Sequence, residues 1–185
     1  MTFNRLVSFD FDDTLCETPL PNPGIQIWEQ KMKSVYPNNP EKWNWPHSGD
    51  DRKSWWTQPE SLDISVFDIP KIEWVYQKYL SEVVRESTFL FMATGRIEPL
   101  RKQVQDILNY HNLSFDEIYL NFGTDTFLFK TKLFENLIER YQPDIFVMYD
   151  DRKTHLPRFE EWAISQPCLV TIVDVVNKTT KTFNN

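Results

Sequence analysis

Apolar residues along the chain form two alternating patterns, short unbroken runs and longer stretches with helical spacing. The unbroken runs are typical of buried strands, and they cover residues 6–9, 88–93, 115–120, 145–149 and 168–176. Apolar positions three and four residues apart predict helices over residues 72–83, 100–108, 133–141 and 158–165. Pro70 is expected near the first turn of the first of these helices. The alternation favours an α/β fold in which helices cover both faces of a mostly parallel sheet.

The pattern changes between the first and second predicted strands. Residues 16–67 contain no long periodic stretch, although residues 25–35 could form a helix. Seven of the 12 prolines and five of the seven tryptophans lie between Glu17 and Phe67. Disordered segments are poor in tryptophan, so this composition predicts an ordered, loop-rich insertion. We expect residues 16–67 to form a lid, inserted into a core made of residues 1–15 and 68–185.

Polar residues follow three of the predicted strands. Asp10 and Asp12 come directly after the first strand, Thr94 after the second, and Asp150 and Asp151 after the fourth. Ligands of open parallel sheets bind in the crevice outside the carboxyl ends of the strands. We therefore expect these side chains to meet at one site, although they are far apart in the sequence.

Composition and charge exclude some classes of protein. Hydrophobic residues make up 41% of the chain and the net charge is −7, which argues against an extended nonspecific grip on nucleic acid. A small basic pocket for one phosphate is still compatible with this charge. Cys16 and Cys168 have no paired spacing, so no disulfide framework or zinc knuckle is indicated. No run approaches the ~20 apolar residues of a membrane span, and we expect a cytoplasmic protein.

Four motifs, taken in order, resemble those of the haloacid dehalogenase (HAD) superfamily of hydrolases. They are Asp10-Phe11-Asp12-Asp13-Thr14, Ala93-Thr94-Gly95-Arg96, Lys130 and Asp150-Asp151. The resemblance implies a Rossmann-like core with a central parallel sheet between helices, and a phosphatase activity. Asp13 departs from the glycine that is common in many first motifs of the superfamily. The alternative for Asp12-Asp13-Thr14 is a structural cap and turn cluster.

Within the superfamily, the chain is most similar to the Swiss Army Knife RNA repair-like HAD group. The similar stretches are residues 9–15, residues 18–24, Trp55-Trp56, Phe129-Lys130, and Tyr149-Asp150-Asp151-Arg152 with His155 beyond it. The Asp-Asp-Arg ending also resembles the phosphatase domain of phage polynucleotide kinase-phosphatase. This resemblance points to a nucleotide or a nucleic-acid end as the substrate, as in RNA or DNA repair. The roles of Arg152 and His155 stay open at this stage.

Phosphoryl transfer needs a nucleophile, neutralised phosphoryl oxygens and a proton for the leaving oxygen. Asp10 is the candidate nucleophile, which would pass through an aspartyl-phosphate. Asp12, two residues on, is expected on the same side of the strand as the general acid. The resemblance implies that Thr94 and the amide of Gly95, near a helix start, bind a phosphoryl oxygen. It also implies that Lys130, just before a helix, balances the negative charge, with Lys132 as the rival.

Carboxylates crowded at a strand end repel one another unless a cation lies among them. Mg²⁺ prefers oxygen ligands and uses few carboxylates together with substrate phosphate. Asp10 and Asp151 fit that description, with Asp150 as an orienting neighbour or an alternative ligand. The resemblance adds the backbone carbonyl of Asp12 as a further ligand.

Besides Thr94 and Gly95, three more residues are candidates for substrate binding. Arg96 is expected either to make a bidentate contact with phosphate or to be an exposed cation at a helix start. Trp55 and Trp56 either belong to the core of the lid or stack on a nucleobase.

The sequence thus predicts a Mg²⁺-dependent phosphatase whose partner is a phosphorylated small molecule or a nucleic-acid end. A mononucleotide or small-metabolite phosphatase is the alternative, because residues 16–67 carry five Lys or Arg against seven Asp or Glu. A binding module with a HAD fold and no catalysis is the alternative from another class. No obligate protein partner and no membrane association are indicated. The absence of a GxxxxGK[ST] loop argues against a kinase.

Overall fold

The computed structural model describes residues 3–45 and 55–184, so residues 46–54 of the expected lid lie outside it. The strands are β1 (Arg5–Phe9), β2 (Thr88–Ile97), β3 (Glu117–Asn121), β4 (Ile145–Asp150), β5 (Leu169–Asp174) and β6 (Thr179–Phe183). The helices are α1 (Pro21–Val35), α2 (Glu73–Val83), α3 (Arg101–Tyr110), α4 (Thr126–Tyr141) and α5 (Leu156–Ile164). Three short 3₁₀ turns cover Pro40–Lys42, Pro59–Leu62 and Glu98–Leu100.

The strands form one six-stranded sheet in the order β3-β2-β1-β4-β5-β6. All neighbouring pairs are parallel except β5 and β6, which are antiparallel. The apolar runs place β1, β2 and β4 at the centre, where both faces of a strand are buried. The predicted α/β fold with a mostly parallel sheet between helices is therefore confirmed.

Two apolar clusters cover the two faces of the sheet because successive strand residues point to opposite sides. Val7, Phe9, Met92 and Val147 belong to one cluster, together with apolar side chains of α2 and α3. Leu6, Phe91, Phe146 and Ile172 belong to the other, together with those of α4 and α5. The molecule thus has three layers, and polar residues at the carboxyl ends of the strands lie at one edge of the middle layer.

Several element boundaries differ from the prediction. Helix α4 begins at Thr126, so Lys130 lies inside the helix and not before it. The start has a polar signal: the side chain of Asp125 accepts a hydrogen bond from the Leu128 amide at 3.0 Å and caps the helix. Pro70 precedes the first turn of α2, whose N-cap is Ile72. Strand β6 was not predicted, because four of its five residues are polar and exposed at the sheet edge.

The segment between β1 and α2 contributes to the core on the α2–α3 side of the sheet. Trp28, Trp55 and Phe67 are buried in the same cluster as Val7 and Phe9. Helix α1 contains Gly24 at its contact with Trp55, where a Cβ atom would lie 2.4 Å from the indole Cζ2. These contacts agree with an ordered insertion, while the division into core and lid stays a prediction.

The helices within residues 3–45 and 55–184 do not include one that is long and apolar enough to cross a membrane.

Candidate active site

The ends of β1 and β4 bring the first and last motifs together. Phe9 lies opposite Tyr149 in the parallel ladder, and the amide of Asp10 donates to the Tyr149 carbonyl at 3.0 Å. Asp10 therefore comes next to Asp150 and Asp151, as the strand-end argument predicted.

Lys130 connects two of these carboxylates. Its Nζ lies 3.0 Å from Oδ2 of Asp10 and 2.7 Å from Oδ2 of Asp150, and the side chain is 2% exposed. Burial lowers the pKa of Lys130, but the two carboxylates reverse this effect and raise its pKa above the ordinary lysine value. Lys132, the rival, is exposed on the same helix. The structure thus brings Lys130, and not Lys132, into the site.

The carboxylates of Asp10, Asp150 and Asp151 form a cluster in which one oxygen from each lies within 4.8 Å of the others. Burial, together with the Asp150 and Asp151 charges, raises the pKa of Asp10 to about 8 against the opposing effect of Lys130. Burial and the neighbouring carboxylate of Asp150 raise the pKa of Asp151 to about 7. Lys130 alone therefore leaves negative charge uncompensated. This donor set, oxygen only and rich in carboxylate, fits a hard divalent cation such as Mg²⁺.

Asp150 and Asp151 occupy different positions in this cluster. Asp150 is buried: its Oδ2 accepts from Lys130, and its Oδ1 accepts from the Arg152 amide at 2.9 Å. Asp151 lines an open crevice at the carboxyl end of the sheet. The arrangement suits Asp151 as a direct ligand and Asp150 as the group that orients Lys130, and both assignments stay predictions.

Asp12 reaches the site by a turn and not by strand alternation, because β1 ends at Phe9. The amides of Leu15 and Cys16 both donate to the Phe11 carbonyl and close this turn. Asp13 has a φ of 52°, in the left-handed region that glycine adopts without strain. This backbone explains how aspartate can stand where many HAD first motifs carry glycine, since aspartate tolerates the left-handed region better than most residues.

The Asp12 carboxylate is held by two donors. Its Oδ1 accepts from the Thr18 hydroxyl at 2.7 Å and from Nη2 of Arg96 at 2.7 Å. Its Oδ2 accepts from Nε of Arg96 at 3.0 Å. Oδ1 therefore has the shorter contacts of the two oxygens.

The Arg96 side chain is buried, which is the opposite of the exposed cation considered above. Its Nε and Nη2 contact the Asp12 carboxylate, so this edge of the guanidinium is already occupied and is not free for the predicted bidentate contact with phosphate. Its remaining nitrogen, Nη1, donates to the Ser61 hydroxyl at 2.7 Å and to the Trp56 carbonyl at 3.1 Å. The guanidinium also lies over the Trp56 ring, 4.7 Å from its centroid.

A crevice of about 690 Å³ opens above the carboxylates. It is lined by Asp10, Asp12, Asp13, Trp56, Thr57, Gly95, Arg96, Ile97, Asn121, Gly123, Thr124, Asp125, Thr126, Asp151 and Arg152. Residues of the first, second and fourth motifs and of the segment between β1 and α2 therefore line the same crevice.

Thr94 and Gly95 of the second motif lie within β2. The next helical turn is the 3₁₀ turn Glu98–Leu100, which begins three residues after Gly95. Thr94 is fully buried, and its hydroxyl accepts from the Arg96 amide at 3.1 Å. Gly95 lines the crevice, and a Cβ atom there would lie 2.9 Å from Oγ1 of Thr126. Glycine thus allows β2 and the start of α4 to approach closely, while the phosphoryl contact of Thr94 stays a prediction.

The two adjacent tryptophans differ in position. Trp55 is 0% exposed, and its indole nitrogen donates to the Pro19 carbonyl at 2.7 Å. Its ring lies 5.3 Å from Trp45 and 5.9 Å from Phe67. The prediction that Trp55 binds substrate is therefore wrong, because the ring is enclosed in the apolar cluster. Trp56 lines the crevice and keeps its predicted role as a candidate contact.

Sequence reasoning did not identify several residues of the site. Thr18 and Ser61 contact the Asp12–Arg96 pair, but isolated hydroxyl residues in a loop carry no recognisable signal. Asn121 could have been found, because Asn-Phe-Gly-Thr-Asp directly follows a strand. Its Oδ1 accepts from the amides of Gly123 and Thr124 and fixes this loop at the crevice.

Arg152 and His155, whose roles the sequence left open, have different surroundings in the structure. Arg152 lines the crevice and donates its amide to Asp150. His155 is buried beside the rings of Phe127 and Phe159, and burial together with the Arg152 charge lowers its pKa to about 4. A neutral histidine in apolar surroundings agrees with a packing role for His155.

A comparison with protein families finds one match over most of the chain. The model described as HAD domain family 1 in Swiss Army Knife RNA repair proteins matches residues 18–182. The matched range begins after Asp10 and Asp12, so the evidence for these two residues is their sequence motif and the geometry described above. No curated protein matches the chain.

Proposed function

Because the chain belongs to HAD domain family 1 in Swiss Army Knife RNA repair proteins, we propose that it is a phosphatase that cleaves phosphoric monoesters. The proposed substrate is a nucleotide or a nucleic-acid end, and the proposed setting is the cytoplasm. The proposed intermediate is an aspartyl-phosphate on Asp10.

One observation carries the proposal: the buried Lys130 ammonium lies between Asp150 and Asp10, and Asp10 lines the crevice. A merely structural buried ion pair would not need further carboxylates beside it, because each adds repulsion. Here Asp151 and Asp12 also face the crevice. Carboxylates with strongly shifted pKa values in a cleft are typical of a functional site. Here they suit a site that binds a cation together with an anionic substrate.

In the proposed first step, an oxygen of Asp10 attacks phosphorus and the bond from phosphorus to the ester oxygen breaks. Asp12 gives its proton to the departing oxygen, which leaves as an alcohol. In the second step, Asp12 takes a proton from water, and the resulting oxygen attacks the phosphorus of the aspartyl-phosphate. The bond between phosphorus and the Asp10 oxygen breaks, the Asp10 carboxylate is released, and inorganic phosphate leaves.

The other residues of the site hold charge and geometry during both steps. Lys130 balances the Asp10 carboxylate and the phosphoryl oxygens, and Asp150 keeps Lys130 in place. Thr94 and the Gly95 amide are proposed to bind a phosphoryl oxygen. Asp10, Asp151 and the Asp12 carbonyl would hold Mg²⁺, which supplies positive charge to the phosphoryl oxygens.

The substrate proposal rests on the family and on Trp56. Its ring lines the crevice next to Arg96, and an aromatic face at that position can stack on a base. The second candidate is a mononucleotide or small-metabolite phosphatase, which is favoured by the net charge of −7. A long polynucleotide needs a basic track for its phosphates, whereas a small substrate does not.

The replacement Asp10→Asn tests the proposal. The amide cannot attack phosphorus, so turnover of 4-nitrophenyl phosphate should fall by several orders of magnitude. Melting followed by circular dichroism should show that the variant is folded. Near-native turnover by the folded variant would refute the mechanism.

Asp13→Asn is the matched control, because Asp13 also lines the crevice but has no proposed chemical role. Asparagine suits the left-handed backbone at this position, so this variant should keep most of the activity. Inactivity of the wild-type protein with every phosphomonoester would instead favour a HAD-fold binding module.

A further inference from the structure

The segment between β1 and α2 reaches the proposed acid Asp12 in two ways. Thr18 donates to its carboxylate directly, whereas Ser61 contacts it only through Arg96. Nε and Nη2 of Arg96 contact the Asp12 carboxylate at 3.0 and 2.7 Å. Nη1 contacts the Ser61 hydroxyl at 2.7 Å. The guanidinium is planar and rigid, so fixing Nη1 also fixes the edge that faces Asp12.

The Ser61 hydroxyl has a defined orientation. It donates its one proton to the Gln58 carbonyl at 2.7 Å, which turns an oxygen lone pair toward Nη1 of Arg96. Ser61 is 0% exposed and does not line the crevice. An effect of Ser61 on the reaction would therefore have to pass through Arg96 or through the local fold.

We propose that Ser61 is a positioning residue, which acts through Arg96 to orient the Asp12 carboxyl toward the leaving oxygen. The inference rests on the proposed function, because it takes Asp12 as the acid. Removing the hydroxyl leaves a buried N–H of a charged group without one of its acceptors. The guanidinium then turns to recover a partner, and Asp12 turns with it.

The leaving group provides a readout that a structural role would not move. A 4-nitrophenolate ion leaves without protonation, whereas an alkoxide needs the proton of Asp12. Ser61→Ala should therefore lower kcat/KM for ribose 5-phosphate about 10-fold or more. The value for 4-nitrophenyl phosphate should change much less. kcat/KM is the right quantity because it reports on formation of the aspartyl-phosphate and not on its hydrolysis.

Ser65→Ala is the matched control. Ser65 lies four residues away and is exposed, and its hydroxyl contacts Asp63 and not Arg96. Both of its kcat/KM values should equal those of the wild type. Asp12→Asn provides the reference pattern, with a larger loss for ribose 5-phosphate than for 4-nitrophenyl phosphate.

Ser61→Cys keeps nearly the same size with a weaker acceptor, so it covers the case in which Ser61→Ala does not fold. Its kcat/KM should also fall more for ribose 5-phosphate than for 4-nitrophenyl phosphate, but by a smaller factor than in Ser61→Ala. Equal losses on both substrates, or none, would overturn the inference even while Asp10→Asn is inactive and the proposed function stands. If the wild type cleaves ribose 5-phosphate too slowly to measure, a nucleoside 5′-monophosphate provides the alkoxide leaving group. If the wild type cleaves no phosphomonoester, or if Asp10→Asn is active, the proposed function itself fails and the inference with it.

Discussion

At the scale of single residues, the balance of buried charge decides what the site can do. Lys130 offsets part of the repulsion among Asp10, Asp150 and Asp151. Burial, together with the neighbouring carboxylates, still raises the pKa values of Asp10 and Asp151. An anionic phosphoryl group adds to this repulsion. The same charges that favour a divalent cation therefore make binding of substrate without that cation unfavourable.

Replacing Lys130 by methionine tests this balance. The apolar side chain has a similar length, but it leaves two carboxylates buried without their ammonium partner. Removing one member of a buried ion pair typically costs about 3–5 kcal/mol. We expect Lys130→Met to lower the free energy of unfolding by that amount, as measured by urea denaturation at neutral pH.

Lys132→Met is the control, because this lysine is two residues away on the same helix and exposed. Its free energy of unfolding should change by less than about 0.5 kcal/mol. If both variants were equally stable, the Asp10–Lys130–Asp150 contact would not carry the energy that we assign to it.

The site residues that could be predicted are those whose residue type is unusual for its place. Carboxylates directly after apolar strands are costly, so Asp10, Asp150 and Asp151 stand out in the sequence. Thr18 and Ser61 do not, because serine and threonine are ordinary in loops. Their role depends on a contact with Arg96 or Asp12 that only the fold creates.

At the scale of elements, the segment between β1 and α2 uses neighbouring residues for different purposes. Trp55 faces the apolar cluster beside Gly24 of α1, while Trp56 faces the crevice. The two residues are of the same type and adjacent in the sequence, so composition could not predict which of them is buried. Only the local turn of the backbone decides which ring is enclosed.

Trp55→Ala and Trp56→Ala should therefore have opposite signatures. Loss of a buried tryptophan typically costs about 3–5 kcal/mol, so Trp55→Ala should lower Tm and reduce activity on all substrates alike. If a base stacks on the Trp56 ring, removing that ring should raise KM for a nucleoside monophosphate about 5- to 150-fold. Trp56→Ala should show this rise with a smaller loss of Tm than Trp55→Ala, because the Trp56 ring is only partly buried. Steady-state kinetics and thermal melting measure both quantities.

A small substrate without a base is the control for this pair. KM of Trp56→Ala for ribose 5-phosphate should stay near the wild-type value. Equal changes of KM for the nucleotide and the sugar phosphate would end the base-stacking hypothesis.

Element boundaries were predictable only where apolar spacing marks them. The apolar spacing in α4 predicted residues 133–141, but the helix starts at Thr126 because Asp125 caps it. Strand β6 consists of Thr179-Thr180-Lys181-Thr182-Phe183, and it pairs with β5 at the sheet edge. Its polar residues suit solvent on both faces, so hydrophobicity gives no sign of it.

At the scale of the whole molecule, Mg²⁺ would link two strands that are distant in the sequence. A cation bound by Asp10 and Asp151 favours the folded chain, since the unfolded chain does not hold these residues together. At a concentration of 100 times Kd, such binding adds about 2.7 kcal/mol. For a chain of this size, we expect Tm to rise by roughly 5–10 °C. Melting curves with MgCl₂ and with EDTA measure the difference.

Two single replacements make this experiment specific. Asp151→Asn should remove most of the Mg²⁺-dependent rise of Tm. Asp106→Asn, at an exposed carboxylate of α3, should keep it. A rise that is the same in all three proteins would come from nonspecific salt effects and would contradict a site at Asp10 and Asp151.

The sheet order also has a consequence for when the protein becomes active during its synthesis. Strand β1 carries Asp10, but its ladder partners are Thr88–Met92 on one side and Ile145–Tyr149 on the other. The proposed nucleophile is therefore synthesised well before the last motif leaves the ribosome. Such distant pairings make folding slow compared with helical proteins. A nascent chain that ends before β4 would carry Asp10 and Lys130 and still have no hydrolase activity.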